Sequence, residues 1–337
     1  MTDFHTEKEL VLQFYKELDA ATENELHSVL NKYTTDNYFW RGMHPFNKQD
    51  SADAVSEIFW KPFRRSFRHL QRRPDIFLAG INQMDGGKTS WVCSMGHLMG
   101  LFDEDWLGIP ASHKMAFLRY AEFNQVKHGK IVETALFCDI LSVMLQVGLN
   151  PLPPQTGAFL ITPGPMTHDG LLYDVHDPKE GQKTFDLIAQ MVEDIYAAAR
   201  SNATTNTYEE LAGSWHKDMI WWGPTGIGAS YTIDRYIQQH TGPFRAQLTD
   251  RTFHDHIVKL SEGNYCGFFG WPNATVTPTG GYLGLTAFNK PADMRVVDIY
   301  RRDGDRLAEN WVFIDMLYFL NMQGLDVLKR MREFPRT

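Results

Sequence analysis

Cysteine is scarce in this chain: Cys93, Cys138 and Cys266 are the only three among 337 residues. Three scattered thiols exclude a disulfide framework and a cysteine-built zinc site, and they suit a reducing cytoplasm. An excess of positive charge is also missing. The formal net charge of −8 argues against a general electrostatic grip on nucleic acid or on an anionic membrane. A local basic stretch such as "FRRSFRHLQRR" at 63–73 reads as a solvated helix face followed by loop. No apolar run reaches the roughly 20 residues that a membrane-spanning helix needs. The opening "MTDFHTEKELVLQFYKEL" has no basic region leading into an apolar core, so a signal peptide is not expected. A soluble, cytoplasmic protein is the expectation, with no metal and no cofactor called for by any motif.

What is present is an ordinary globular composition, 43% hydrophobic and 22% charged. The length exceeds what one hydrophobic core usually fills, so two domains are expected. The chain repeats itself accordingly. "ETALFCDILSVMLQVGLNPL" at 133–152 and "ENWVFIDMLYFLNMQGLDVL" at 309–328 each place an aspartate, Asp139 or Asp315, six residues after a glutamate and nine before a Gly-Leu pair. Thr6 with Glu9 and Thr207 with Glu210 read as capping boxes at helix starts. Phe185, Ile188, Val192, Ile195 and Tyr196 recur at helical spacing. "DNYFWRG" matches "DMIWWGP", aligning Trp40 with Trp222. "KPFRRSF" matches "GPFRAQL", aligning Arg64 with Arg245, both read as helix-end or surface groups. "WVCSMGH" matches "YCGFFGW", aligning Gly96 with Gly270 and His97 with Trp271. Each half ends in two strand-like runs, and Asp303-Gly304 is the hairpin turn expected of such a pair. The plan is α+β, with a first domain at 1–150, a Pro/Gly-rich linker at 151–182 and a second domain at 183–337.

The stretches "GHLMGLF", "GIPASHK" and "HGKIVETALFCDILSVMLQVG" in the first half, and "PTGG", "DGDRLAENWVFID" and "MQGLD" in the second, resemble the SnoaL-like polyketide cyclase family. That family belongs to the nuclear transport factor 2-like superfamily. The resemblance implies two tandem cone-shaped domains, each a curved antiparallel sheet covered by helices around an apolar pocket. It also implies a hydrophobic small-molecule partner, an internal pseudo-dimer and the option of homo-oligomers. One departure is plain: some cyclases of the family pair the terminal aspartate with a histidine on the preceding strand, and neither "MAFLRYAEFNQV" nor "MRVVDIYRRD" carries one.

If the last strand lines the cone, alternation puts Trp311 and Phe313 on the face of Asp315, and Phe137 on the face of Asp139. Desolvation there would raise a carboxyl pKa and suit Asp315 and Asp139 to metal-free acid/base chemistry on a hydrophobic carbonyl compound: an aldol-type cyclisation, an isomerisation or a dehydration. The ketosteroid isomerase of the same superfamily uses carboxylates in this general manner. The alternative is that each aspartate caps the helix-like run after it. A non-catalytic ligand-binding or interaction protein is the rival from another class. Asp298 and Glu122, each 17 residues before a terminal aspartate, are lesser candidates. A two-residue Asp303-Gly304 turn sets Asp298 opposite Glu309, too far from Asp315 for a carboxylate dyad. Trp222, Trp271 and Trp40 are candidates to stack on a flat ligand, and His97, His240 and His256 to exchange a proton with it or donate to a carbonyl.

Overall fold

The computed structural model describes residues 4–200 and 207–333. The chain divides into two compact units, Met1–Pro151 with Pro163–Val175 and Val327–Thr337, and Leu152–Thr162 with His176–Asp326. The Pro/Gly-rich segment is thus shared between the units, and a 23-residue helix, Pro178–Arg200, begins inside its expected range.

In the first unit, helices His5–Ala20 and Leu26–Tyr33 lead into β1 (Thr34–Gly42) and β2 (Lys48–Gln49). A helical passage through Ala52–Val55, the π-helical turn Ser56–Trp60 and Lys61–Ser66 follows. Then come β3 (Phe67–Ile81), β4 (Ser90–Phe102), β5 (Met115–Lys127), β6 (Lys130–Cys138) and the helix Ile140–Gln146. The curled sheet runs β2-β1-β6-β5-β4-β3. Thr6 does not cap the first helix, which already starts at His5 with Phe4 at the N-cap and no side-chain cap. The basic stretch is a helix end running into β3, not a helix and loop. Arg64 has the helix-end role: its guanidinium donates to the carbonyls of Asp19 (2.8 Å) and Ala21 (2.9 Å), the orphan acceptors at the end of the first helix.

The second unit repeats the order. After Pro178–Arg200 come Tyr208–Ala212, started by the expected Thr207/Glu210 capping box, and then β7 (Trp215–Trp222) and β8 (Ser230–Tyr231). Ile233–Tyr236, the π-helical turn Ile237–Thr241 and Gly242–Gln247 lead into β9 (Leu248–Phe253) and β10 (Val258–Glu262). β11 (Tyr265–Pro278), β12 (Ala292–Asp303), β13 (Arg306–Ile314) and Met316–Met322 complete it. Its sheet runs β10-β11-β12-β13-β7-β8, with β9 also on β11. Each sheet is antiparallel except for one parallel contact, β1 on β6 and β7 on β13. The two curled sheets with helices are the expected α+β tandem. No helix among the described residues is long and apolar enough to cross a membrane.

Strand pairing corrects three sequence alignments. Trp40 sits opposite Thr134 and Trp221 opposite Asn310, so Trp221, not Trp222, is the counterpart of Trp40. The last hairpin turns at Gly304-Asp305, with Asp303 opposite Arg306. A register shift after Arg301 then sets Asp298 opposite Val312, not Glu309.

The first core is aromatic: Phe63 stacks on Phe67 at 4.6 Å and Phe67 on Phe102 at 4.7 Å, all three fully buried. Burial of each such ring stabilises the fold by about 1.5–3 kcal/mol.

Candidate active site in the second unit

Period-two alternation on β12 points Met294, Val296, Asp298 and Tyr300 into one cavity, and on β13 it points Asn310, Val312 and Ile314 the same way. The long helix adds Ile195 and Tyr196, β7 adds Trp221, and β9 adds Phe253. Tyr236 and His240 enter from the helical passage before β9, and Phe268 and Asn273 from β11. The centres of water-sized molecules have about 180 Å³ of this cavity. On that measure one water needs only roughly 10–15 Å³, so the space suits a multi-ring guest.

Among the described residues, Asp298 is the one formally charged side chain in that wall. It is partly accessible, as a group facing a void must be. Desolvation by its apolar surroundings pushes its carboxyl up to about 6, opposed by hydrogen bonds from Asn310 and Tyr300. The Asn310 contact is long, Nδ2 to Oδ1 at 3.4 Å, because the same amide also donates to the Ile299 carbonyl at 3.1 Å. Burial, and after it the charge of Asp298, holds the phenols of Tyr196, Tyr236 and Tyr300 protonated. Three neutral phenols from three elements therefore surround one carboxyl whose pKa lies near neutrality.

His240 lies on the π-helical turn, a device often found at functional sites. Its ring stacks on Trp221 at 3.9 Å and 17°. Burial pushes its pKa down to about 3, so the imidazole is neutral at physiological pH, and its buried Nδ1 has no hydrogen-bond partner. His256, edge-on to Phe268 at 5.4 Å, is held neutral in the same way.

The favoured sequence candidates sit elsewhere. Trp311, Phe313 and Asp315 do share a face, as alternation requires, but it is the face away from the cavity, out of phase with Asn310, Val312 and Ile314. Asp315 is fully buried and caps the helix Met316–Met322, its Oδ1 accepting the Tyr318 amide at 3.2 Å. Its Oδ2 accepts from Arg295 Nη1 at 3.1 Å, and that guanidinium lies over Tyr318 at 3.3 Å and Trp271 at 4.3 Å. Trp271 therefore sandwiches an arginine and is no cavity wall. Trp222 pairs with Trp311 in the sheet register, again off the cavity lining. Asp139 repeats the arrangement, capping Ile140–Gln146 through the Ser142 amide at 3.1 Å. Phe137 shares its phase on β6 and is fully buried. His97 stands opposite Arg119 on the neighbouring strand, 3.4 Å from Asp75 Oδ2, and Trp40 packs in the core against Phe59. Among the candidates named from sequence, Asp298, His240 and His256 line the cavity. Tyr300 was recoverable from sequence, two residues beyond Asp298 on the same face; Asn310 was not, because the register shift after Arg301 sets its phase.

The same positions in the first unit are filled differently. Glu122 corresponds to Asp298, and Arg72, opposite Leu98, corresponds to Phe253, opposite Ala274. Arg72 Nε lies 3.0 Å from Asp19 Oδ2, and Nη1 lies 3.5 Å from Glu122 Oε2. The guanidinium lies over Tyr15 at 3.9 Å. Asn124 Nδ2 donates to the Tyr15 hydroxyl at 2.9 Å and to Glu122 Oε1 at 3.0 Å. A charge-paired network thus stands at first-unit positions whose counterparts line the void in the second. Among the described residues no cluster of three or more histidine, cysteine, aspartate or glutamate side chains has metal-binding geometry.

No protein-family model and no curated protein matches the chain. Among solved structures it is similar to a candidate SnoaL-like polyketide cyclase from Jannaschia sp. CCS1, at 18% identity over 45% of this chain and 98% of that one, with a TM-score of 0.36. It is also similar to IdmH, a candidate polyketide cyclase from Streptomyces antibioticus, at 12% identity over 41% and 98% of the two chains, TM-score 0.34. A nuclear transport factor 2-like protein from Burkholderia xenovorans matches at 14% identity over 42% and 97%, TM-score 0.32. Each of these structures matches less than half of this chain and nearly all of its own.

Proposed function

We propose that the second unit carries an acid/base site for a hydrophobic carbonyl compound, with Asp298 as the proton-transfer group. The observation that carries this reading is a single carboxyl with a pKa of about 6, set in an aromatic cavity and lacking a cationic neighbour among the groups that shift it. A base works best when its pKa lies near the operating pH. At neutral pH Asp298 is mostly ionised, yet desolvated enough to take a proton from carbon. The C–H bond beside the substrate carbonyl breaks, its proton passes to a carboxylate oxygen, and the electron pair moves into an enolate. Tyr236, held protonated close to Asp298, supplies a hydrogen bond for the developing enolate oxygen. Ring closure onto a second carbonyl, isomerisation by reprotonation elsewhere, and loss of water all follow from that enolate. Protonated Asp298 is the acid for the second half of each.

The test is proton exchange, which needs no knowledge of the natural substrate. With 2-tetralone in D₂O, the native protein should accelerate deuterium incorporation beside the carbonyl, followed by mass spectrometry. The Asp298→Asn variant should lose about 10²–10⁴-fold of that acceleration. Undiminished exchange in D298N would sink the assignment.

A further inference from the structure

Asn273 and His240 are polar groups of this cavity that the proton transfer does not use, and neither has a polar counterpart in the first unit. Between Gly96 and Leu98, paired with Tyr120 and Leu118, β4 advances two residues. Between Gly270 and Ala274, paired with the corresponding Val296 and Met294, β11 advances four. The two additional residues form a bulge, and bulges re-aim side chains beside functional sites. Gly270 makes room for it: a Cβ on Gly270 would lie 2.1 Å from the Asn273 Cβ. The result is an amide turned into the cavity whose buried Oδ1 has no hydrogen-bond partner. His240 takes the place that Phe59 holds on the matching π-helical turn, and its buried Nδ1 is likewise unpartnered. A buried polar atom without a partner costs stability. Both side chains line the cavity and are only partly buried, so a polar guest there can reach each of them.

The wall also constrains the charge of that guest. Among the described residues it contains no lysine or arginine, so an anion would meet only Asp298 as a charged group. It also holds its own two histidines neutral, so a cation away from Asp298 would pay the same desolvation cost.

We infer that Asn273 and His240 are positioning residues which select an uncharged ring compound bearing two separated oxygen functions, one bonded by each. This rests on the cavity being a ligand site, not on turnover by Asp298.

Calorimetric titration with three probes tests it: naphthalene-2,6-diol, 2-methylnaphthalene and 6-hydroxy-2-naphthoate. The diol should bind about tenfold more tightly than the methyl compound, the size expected when hydrogen bonds to otherwise unpaired buried groups are completed. The naphthoate should bind more weakly than the diol. Asn273→Leu and His240→Phe should each remove most of the diol's advantage while leaving 2-methylnaphthalene binding unchanged, which also shows that the variants are folded. Gly270→Ala, which displaces Asn273 without altering it, should reproduce the Asn273→Leu result. Equal binding of diol and methyl compound, equal loss of both in the variants, naphthoate binding as tight as the diol, or no binding of any probe would each overturn the inference. Asp298→Asn should keep the diol preference, so failure of the proton-transfer reading would leave this one standing.

Discussion

Phe253 occupies the sheet position in the second unit that Arg72 occupies in the first, each opposite the corresponding residue of the next strand. That exchange puts a buried, charge-paired guanidinium in the first unit where the second has an apolar ring on its cavity wall. With arginine, the unit contains an internal guest that pairs with Asp19 and Glu122 and stacks on Tyr15. With phenylalanine, the carboxyl at the Glu122 position is left facing a void. Arg72→Met should therefore destabilise the protein, since removing one partner strands the buried Glu122 carboxylate at a cost of about 3–5 kcal/mol. Burial already raises the Glu122 pKa, and loss of Arg72 raises it further, so protonation relieves the penalty as pH falls. Thermal unfolding at pH 7 and pH 5 should show the larger loss at pH 7.

Asp298 has the opposite relation to stability. Its folded pKa of about 6 lies above the ordinary 3.8, so above about pH 6 the folded state holds a charge that its surroundings disfavour. The unfolded chain carries that charge freely. The penalty is fully present at neutral pH, shrinks as pH falls through 6 and is gone below 3.8. It amounts to about 2–3 kcal/mol. Asp298→Asn, which is uncharged at every pH, should raise the melting temperature at pH 8 and lose that advantage near pH 4. A lower melting temperature for D298N at pH 8 would contradict the proposed electrostatics.

The Tyr300 hydroxyl donates to Asp298 and holds its pKa lower than burial alone would. Tyr300→Phe removes that donor, so the carboxyl should protonate at a higher pH. In the 2-tetralone exchange assay the acid limb of the rate profile should move up from about pH 6, while the plateau at high pH persists. A profile unchanged by the substitution would show that Asp298 is not the group titrating there.

Alternation along β13 was legible in the sequence, and Trp311, Phe313 and Asp315 do share a face. The phase of that alternation was not, because a strand with apolar residues on both sides does not announce which side meets the void. Val312 and Ile314 are as apolar as Phe313, and the β13 residues from Glu309 onward are buried on both faces. The β-bulge after Arg301 and the two-residue insertion at Asn273 were also hidden, since both are set by pairing with a neighbouring strand. The duplicated order of elements, the Thr207 capping box and the helix-end role of Arg64 were readable because local chemistry dictates them. Asp298 looked minor in sequence because its importance comes from what is missing beside it, the arginine that its counterpart Glu122 has.

Asp315 provides the sharpest contrast with Asp298, because the two carboxyls lie three residues apart along one hairpin, Asp298 opposite Val312 and Asp315 just past Ile314, on opposite faces of it. Asp315 accepts the Tyr318 amide and the Arg295 guanidinium and is fully buried. Asp315→Asn keeps a capping oxygen, but it removes the charge that compensates Arg295 between the Trp271 and Tyr318 rings. The expected result is a loss of about 3–5 kcal/mol, the cost of leaving one member of a buried pair alone. Wherever D315N is folded, deuterium exchange into 2-tetralone should proceed at the native rate, because the group is not in the cavity wall. Urea unfolding read alongside the exchange rate separates the two roles. A variant that melts like the native protein but no longer exchanges would place the chemistry at Asp315 and overturn the assignment to Asp298.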